Sequence, residues 1–217
     1  EHEAVLGAVS DADRIPVTDD GVVDLDALKG LLEDVDRPTI VSVMWANNET
    51  GGVQPIAEVV SLAHARGGLV HCDAIQAAGR LPVSFAETGL DLMSVSAHKL
   101  GGPAGIGALI ARKGLALTPL IKGGGQEQGR RSGTENLIGI AGFGAAAKTA
   151  EQSRSLWQTV ARLRDGLERK IQETAQTARV MGGEAVRLAN TSCITMPGVA
   201  AETQVMALDL AGFAVSA

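Results

Sequence analysis

The stretch Ser94-Val95-Ser96-Ala97-His98-Lys99-Leu100-Gly101-Gly102-Pro103 joins a short apolar run to a glycine-rich turn. The apolar residues 92–95 predict a strand, and the glycine–proline sequence predicts a turn after it. Lys99 is therefore expected in a loop at the carboxyl end of that strand. A lysine in such a loop is either a solvated side chain, which is the commoner case, or an amine that condenses with a carbonyl cofactor.

Strands and helices are expected to alternate around this stretch. Apolar runs predict strands over 39–44, 69–72, 91–96 and 106–111, and 14–18 is a possible further strand. Helices are predicted over 24–32, where leucines recur at helical spacing, and from Pro55 to about Arg66, with short helical character over 1–9. This alternation is typical of an α/β protein with a mainly parallel sheet flanked by helices.

The second half of the chain is expected to be largely helical. A cationic, glycine-rich loop over 123–134 precedes a long helix from Glu135, which is alanine-rich at first and amphipathic later. Because a helix of this length commonly connects two domains, we expect residues 1–150 to form part of a large domain. Residues 151–217 would then hold the inter-domain helix and the beginning of a smaller α/β domain, with strands at 192–196 and 214–215 and a helix near 201–210.

The composition argues against several classes of partner. The net charge is −6, and the 3 Phe, 2 Trp and absence of Tyr offer little for base stacking, so nucleic acid is not an expected partner. No apolar run approaches the roughly 20 residues of a membrane span, so a membrane is not expected either. Cys72 and Cys193 are far apart in the sequence and do not form a metal-type pair, and a chain of this size does not depend on a disulfide framework. A reducing cytoplasm is therefore the expected location.

Polar residues follow three of the predicted strands. Asn47 and Asn48 follow the first, Asp73 and Gln76 the second, and the Lys99 stretch the third. In a parallel sheet these carboxyl ends face one crevice, where ligands bind. The alternatives without a role in binding are that Asp73 caps a loop, that Asn48 forms a turn and that Gln76 is only solvated.

An aspartate and a lysine on neighbouring strand ends suit pyridoxal phosphate (PLP). The cofactor's aldehyde requires a lysine, and its pyridine nitrogen requires an acid partner, here Asp73, to stay protonated. His2 or His98 could stack on the ring or move protons. Hydrogen bonds to the ring hydroxyl could come from Asn48 and Gln76, and phosphate contacts from Ser96 and His98.

Two other sites are poorly supported. His71, Cys72 and Asp73 are consecutive, so along a strand they cannot all face one zinc ion. The glycine-rich segment 101–107 lacks both the lysine–serine ending of a phosphate-binding loop and the spacing of a dinucleotide motif.

Five segments occur in an order that is specific to one family. Together they resemble the cysteine desulfurases of the NifS/IscS type, in the class V branch of fold-type I PLP enzymes, over essentially the whole chain. The segments are Glu1-His2-Glu3-Ala4-Val5-Leu6, Asn47-Asn48-Glu49-Thr50-Gly51, His71-Cys72-Asp73-Ala74-Ile75-Gln76, Ser96-Ala97-His98-Lys99 and Arg130-Arg131-Ser132-Gly133-Thr134-Glu135-Asn136.

The resemblance implies a role for each matching residue. Lys99 would form the Schiff base with PLP, Asp73 would pair with the pyridinium nitrogen, and His2 would stack on the ring and take part in acid–base steps. The remaining implied contacts are Gln76 to the phenolic oxygen, Asn48 near that oxygen and the substrate carboxylate, Ser96 and His98 to the phosphate, and Thr134 to the phosphate of the other subunit in a homodimer.

The implied reaction removes sulfur from L-cysteine, giving L-alanine and an enzyme persulfide. The persulfide would pass to a sulfur-acceptor protein for iron–sulfur or other thio-cofactor assembly. The family's nucleophilic cysteine lies beyond the segment that matches Ala214 to Ala217, and Cys193 is expected to be a buried structural thiol within a strand. We therefore expect a central fragment of a desulfurase that is inactive in sulfur transfer. Alternatives are another class V enzyme (a selenocysteine lyase or an aminotransferase) and a non-catalytic scaffold with the same fold.

Overall fold

The chain alternates strands and helices through its first half and is mainly helical afterwards, in a computed structural model that describes residues 1–33, 35–153 and 155–217. A 3-10 turn covers Ala97–Leu100, and residues 126–129 form a turn with a left-handed backbone at Glu127 and Gln128. The helices and strands of the described residues are α1 (Glu3–Leu6), α2 (Leu25–Glu33), β1 (Ile40–Met44), α3 (Ile56–His64), β2 (Leu69–Asp73), α4 (Phe85–Thr88), β3 (Leu92–Ser96), β4 (Gly107–Ala111), α5 (Leu137–Gln152), α6 (Leu156–Thr174), β5 (Arg179–Val180), β6 (Ile194–Thr195) and α7 (Ala201–Leu210).

The main sheet has the strand order β1-β2-β3-β4. The first three strands are parallel, and Asp73 pairs in register with Met44 on one side and with Ser94 on the other. This register brings the carboxyl ends of β1, β2 and β3 to one edge of the sheet. β4 runs antiparallel to β3, because the short connection over 97–106 contains a 3-10 turn rather than the crossover helix that parallel pairing requires. The predicted α/β fold with a mainly parallel sheet is confirmed.

Alternation along the strands separates a buried face from a more polar one. Val41 and Val43 of β1 and Val70 and Cys72 of β2 point into the core, where they are at most 5% exposed. The helices that cover this face contribute Leu28 and Leu32 from α2 and Val59, Val60 and Ala63 from α3. Asp24 begins α2, since its carboxylate accepts hydrogen bonds from the backbone of Asp26 and Ala27.

The expected long helix is two helices. Its alanine-rich part is α5 and its amphipathic part is α6. The hydroxyls of Thr149 and Ser153 donate to the backbone oxygens of Ala145 and Thr149 at 3.0 and 2.9 Å. Hydroxyls that bond back to the preceding turn favour bending, and α5 ends at this point.

Two predicted strands are wrong. Residues 14–18 form only an isolated bridge between Val17 and Val23, and Pro16 in their middle has no backbone N–H to donate. Residues 214–215 are irregular, because nothing in the described part of the chain pairs with them as a strand. The predicted strand at 192–196 shortens to β6, which pairs with the unforeseen β5.

A buried carboxylate joins three elements at the amino ends of β2 and β3. Asp91 is 1% exposed, and its Oδ2 accepts from Val70 N at 2.8 Å and lies 2.9 Å from His64 Nε2. Arg112 Nε donates to Oδ1 at 2.7 Å. Burial would raise the pKa of Asp91, but these hydrogen bonds outweigh burial and hold the pKa below its ordinary value. The cluster therefore stabilises the fold only while Asp91 is ionised.

Replacing Asp91 with asparagine is expected to lower the free energy of unfolding at pH 7 by about 2 kcal/mol, because charge-assisted bonds become neutral ones. A depressed folded-state pKa contributes stability above the unfolded-state pKa, and that stability is lost as pH falls through the folded value. Urea unfolding at pH 7 and in acid should show the Asp91→Asn deficit shrinking in acid. The exposed-turn variant Asp11→Asn is the control, and a deficit that persists unchanged in acid would contradict the assignment.

Candidate active site

Asp73 and Lys99 lie at the same edge of the sheet. Asp73 is the last residue of β2, and Lys99 lies in the 3-10 turn that directly follows β3. That turn is anchored by the buried Ala97, whose N–H donates to Ile106 O at 3.1 Å and whose oxygen accepts from Gly102 N at 2.9 Å. The turn thus holds the exposed Lys99 side chain beyond the end of the strand.

The Asp73 carboxylate has one oxygen committed to the fold and one free. Its residue is 9% exposed, and Oδ1 accepts from Ile75 N at 2.9 Å. Oδ2 has no hydrogen-bond partner among residues 1–33, 35–153 and 155–217. Asp73 also accepts from Trp45 N at 2.8 Å through its backbone oxygen, which fixes the exit of β1 beside it. The alternative that Asp73 only caps a loop accounts for Oδ1 but not for Oδ2.

Gln76 and Lys99 are held together through their main chains. Arg80 donates from Nη1 to Gln76 O at 2.7 Å and from Nη2 to Lys99 O at 3.1 Å. The half-buried Gln76 side chain forms no hydrogen bond within the described residues, so its amide is available to a ligand. The amine of Lys99 likewise forms no ion pair or hydrogen bond there.

Ser96 and His98 form a polar pair at the end of β3. Ser96 Oγ lies 2.8 Å from His98 Nδ1. The serine is half-buried and the histidine is exposed, so the pair borders the same open edge as Lys99. A hydroxyl and an imidazole in this position can both donate to an anion.

Asn48 lies in a loop whose conformation is fixed by the side chain of Asn47. Asn47 Oδ1 accepts from the backbone N–H groups of Glu49 and Thr50, both at 2.9 Å, which makes a side-chain-closed turn. The Asn48 amide, half-buried, donates to the Glu49 carboxylate. This loop follows β1 directly, so it belongs to the same sheet edge as Asp73.

In the described part of the chain, no hydrogen bond joins His2 or Thr134 to the other candidate site residues. His2 is exposed and caps α1, with Nδ1 accepting from Ala4 N at 3.1 Å. Burial raises the pKa of the adjacent Glu1 carboxyl, and the charge of Asp73 acts in the same direction. Thr134 is exposed in the 121–136 loop, and no hydrogen bond in the described part of the chain joins it to the other candidate residues.

His71 forms a connection across three strands that sequence reasoning missed. Its Nδ1 lies 2.8 Å from Ser42 Oγ on β1, and its Nε2 lies 2.8 Å from Ser94 Oγ on β3. Burial lowers the pKa of His71, against the opposing charge of Asp73. His71 shares a face with Asp73 two residues on, and that spacing was the available signal for its place near the site.

Neither cysteine has the character of a nucleophile. Cys72 is fully buried, and burial, followed by the charges of Asp73 and Glu1, raises the pKa of its thiol. Cys193 is half-buried just before β6, rather than buried within a strand as expected, since only its backbone oxygen joins the hairpin. Burial, then the charge of Glu49, raises its pKa as well. Both thiols are therefore protonated near neutral pH.

The described residues contain neither a metal-type cluster nor a membrane-spanning helix. In the ranges 1–33, 35–153 and 155–217, no three His, Cys, Asp or Glu side chains are grouped so that they could hold a metal ion. Among the same residues, no helix combines the length and apolar character needed to cross a membrane.

The fold and this strand-end site define a family. Residues 7–217 match the family described as aminotransferase class-V, and the chain belongs to that family. The NifS-like protein from Rickettsia africae superposes with a TM-score of 0.95 at 35% identity, covering 100% of this chain and 61% of that one. The fold is accordingly fold type I of the PLP-dependent transferases, as the sequence predicted.

Within the family, the chain is similar to cysteine desulfurases. The cysteine desulfurase of Cereibacter sphaeroides is 45% identical over 224 residues, covering 100% of this chain and 57% of that protein. The cysteine desulfurase NifS of Azotobacter vinelandii is 39% identical over 224 residues, covering 100% of this chain and 55% of that protein. The chain thus spans little more than half the length of these curated relatives.

Proposed function

We propose that this chain supplies the PLP-binding part of a cysteine desulfurase. The observation that carries the proposal is that Asp73 and Lys99 lie at one sheet edge, where the Asp73 Oδ2 and the Lys99 amine have no partner among the described residues, in a chain similar to cysteine desulfurases throughout its length. Residues 1–150 would form part of the large PLP-binding domain. Residues 151–217 would provide the inter-domain helix and the start of the small domain.

The residues present fit the cofactor. A pyridinium N–H needs a charged acceptor, and Asp73 Oδ2 can supply one, because Asp73 is only 9% exposed and its other carboxylate oxygen already accepts from Ile75 N. Covalent attachment of an aldehyde needs an amine with no competing salt bridge, which describes Lys99. PLP, when bound, supplies the electron sink for bond cleavage at the amino acid.

The chain's own residues would hold and orient that group. Asp73 would keep the ring nitrogen protonated, and Lys99 would hold the aldehyde carbon and later move protons at the substrate α-carbon. Ser96 and His98 would bind the phosphate, and His2 would stack on the ring and exchange protons. Gln76 and Asn48 would donate to the ring oxygen, Asn48 also lying near the substrate carboxylate, and Thr134 would reach the phosphate of a partner subunit in a homodimer.

The overall reaction requires a thiol that this chain does not supply in reactive form. Sulfur would leave L-cysteine and join an acceptor thiol as a persulfide, leaving L-alanine, so that one C–S bond breaks and one S–S bond forms. Since the Cys72 and Cys193 thiols are protonated and at least half-buried, neither is the acceptor, and the 217 residues alone are expected to be inactive in sulfur transfer. In the cytoplasm a sulfur-acceptor protein of iron–sulfur or thio-cofactor assembly would receive the persulfide.

Product analysis of the full-length protein tests the proposal. With PLP, L-cysteine and a thiol reductant, we expect equal amounts of sulfide and L-alanine. Selenide from L-selenocysteine without sulfide from L-cysteine would point to a selenocysteine lyase, and amino-group transfer to a keto acid would point to an aminotransferase. Failure to bind PLP would leave a scaffold and contradict the proposal.

A further inference from the structure

Arg80 connects two turns that carry candidate site residues. Its guanidinium donates to the backbone oxygen of Gln76 at 2.7 Å and to that of Lys99 at 3.1 Å. These oxygens belong to the turns after β2 and β3. Both turns leave neighbouring strands at the same sheet edge, and the arginine fork bridges them beyond the last strand hydrogen bonds.

Gly79 lies where the Gln76 turn meets the Leu100 side chain of the Lys99 turn and Ala150 of α5. Gly79 has a φ of +74°, and a Cβ there would lie 2.5 Å from Leu100 Cδ2 and 2.9 Å from Ala150 Cβ. Leu100 directly follows Lys99, so this contact and the arginine bridge fix the same pair of turns. A side chain at Gly79 would strain the backbone there and displace the Leu100 side chain.

The guanidinium occupies its position at a cost. Its Nε is buried and has no hydrogen-bond partner in the described part of the chain. Burial also lowers the pKa of Arg80. A half-buried arginine with an unsatisfied N–H costs stability unless other contacts offset it.

A helix outside the sheet supports the guanidinium. The Trp157 ring on α6 lies with its centroid 6.0 Å from Arg80 Cζ, and the indole N–H donates to Gly79 O at 2.7 Å. The tryptophan ring therefore restricts the movement of the Arg80 guanidinium on one side. Its indole N–H also holds the backbone of Gly79, the residue before Arg80. Among residues 1–33, 35–153 and 155–217, no hydrogen bond or ion pair constrains the exposed side chain of Lys99 itself.

We infer that Arg80 is a positioning residue that fixes the Lys99 turn against the Gln76 turn. The inference rests on the proposed function, under which the Lys99 amine and the Gln76 amide face one cofactor. Arg80 would then set the geometry of these two groups relative to each other. A lysine at position 80 keeps the charge but carries its donors on one nitrogen, so it cannot reproduce the fork.

The test has a part that needs no cofactor. In the cofactor-free full-length protein, Arg80→Lys should raise amide hydrogen exchange about threefold to tenfold in peptides covering 74–80 and 97–102. Arg112→Lys is the matched control, because Arg112 also donates to a buried group but at the opposite end of the sheet. It should leave both peptides at the wild-type rate.

The second part uses the cofactor-loaded protein. Arg80→Lys should weaken PLP binding about tenfold and shift the pH at which the absorbance of bound PLP changes, whereas Arg112→Lys should move neither. Trp157→Phe keeps an aromatic ring beside Arg80 but loses the bond to Gly79 O, and it should give a smaller effect of the same sign.

Two results would overturn the inference. One is wild-type exchange in both peptides of Arg80→Lys, and the other is equal changes in Arg80→Lys and Arg112→Lys, which would indicate general destabilisation. Failure of the proposed function is distinguishable, because it is measured on the wild type alone as an inability to bind PLP.

Discussion

Replacing Lys99 with alanine is expected to abolish covalent attachment of PLP and to lower sulfide release from L-cysteine by at least about 10³-fold in the full-length protein. Lys99 lies in the turn after β3 with an amine that has no other partner in the described residues. On the proposed assignment, the variant lacks both the attachment point and the group that would move protons at the substrate α-carbon. Sulfide assay and gel filtration with added PLP measure the two losses.

Lys113→Ala is the control for that variant. Lys113 is also exposed and follows β4, but it belongs to the opposite end of the sheet. It should retain covalent PLP and wild-type turnover. Substantial sulfide release by Lys99→Ala, with the control unaffected, would show that another residue performs the attachment.

Asp73→Asn is expected to reduce sulfide release by about 10²–10³-fold with little loss of stability. Asparagine keeps an oxygen for the N–H of Ile75, so the turn after β2 remains closed. It cannot keep a ring nitrogen protonated, and removing one member of a buried charge pair costs about 3–5 kcal/mol. Turnover and urea unfolding, measured on the same preparation, separate the two effects.

Asp209→Asn, on the exposed surface of α7, controls for the change of charge. Near-wild-type turnover of Asp73→Asn would mean that Oδ2 does not face the cofactor. A large loss of stability in Asp73→Asn would instead mean that the carboxylate serves the fold.

The sheet edge could be predicted because strand composition and turn residues are local signals. The apolar run before Lys99 ends where β3 ends, and the predicted helix over 201–210 is α7. Placing Asp73 beside Lys99 needed only the rule that parallel strands end at one edge. The rule did not predict the direction of β4, which is antiparallel because the short connection over 97–106 folds back on β3.

The residues that were missed act through contacts between distant segments. Arg80 contacts its own turn and the Lys99 turn through backbone oxygens, which no sequence pattern reveals. His71 was considered for zinc, while the serines that bond it lie 29 and 23 residues away. The end of α5 coincides with hydroxyls that bond back to the preceding turn, and the same residues are often tolerated within helices.

Borohydride reduction of the PLP-loaded full-length protein, followed by peptide mapping, tests the central claim most directly. Reduction makes the bond between the cofactor and its lysine permanent. We predict one modified peptide, with the phosphopyridoxyl group on Lys99 and none on Lys113 or Lys122. Modification of another lysine, or no modification despite bound cofactor, would contradict the assignment of this sheet edge as the PLP site.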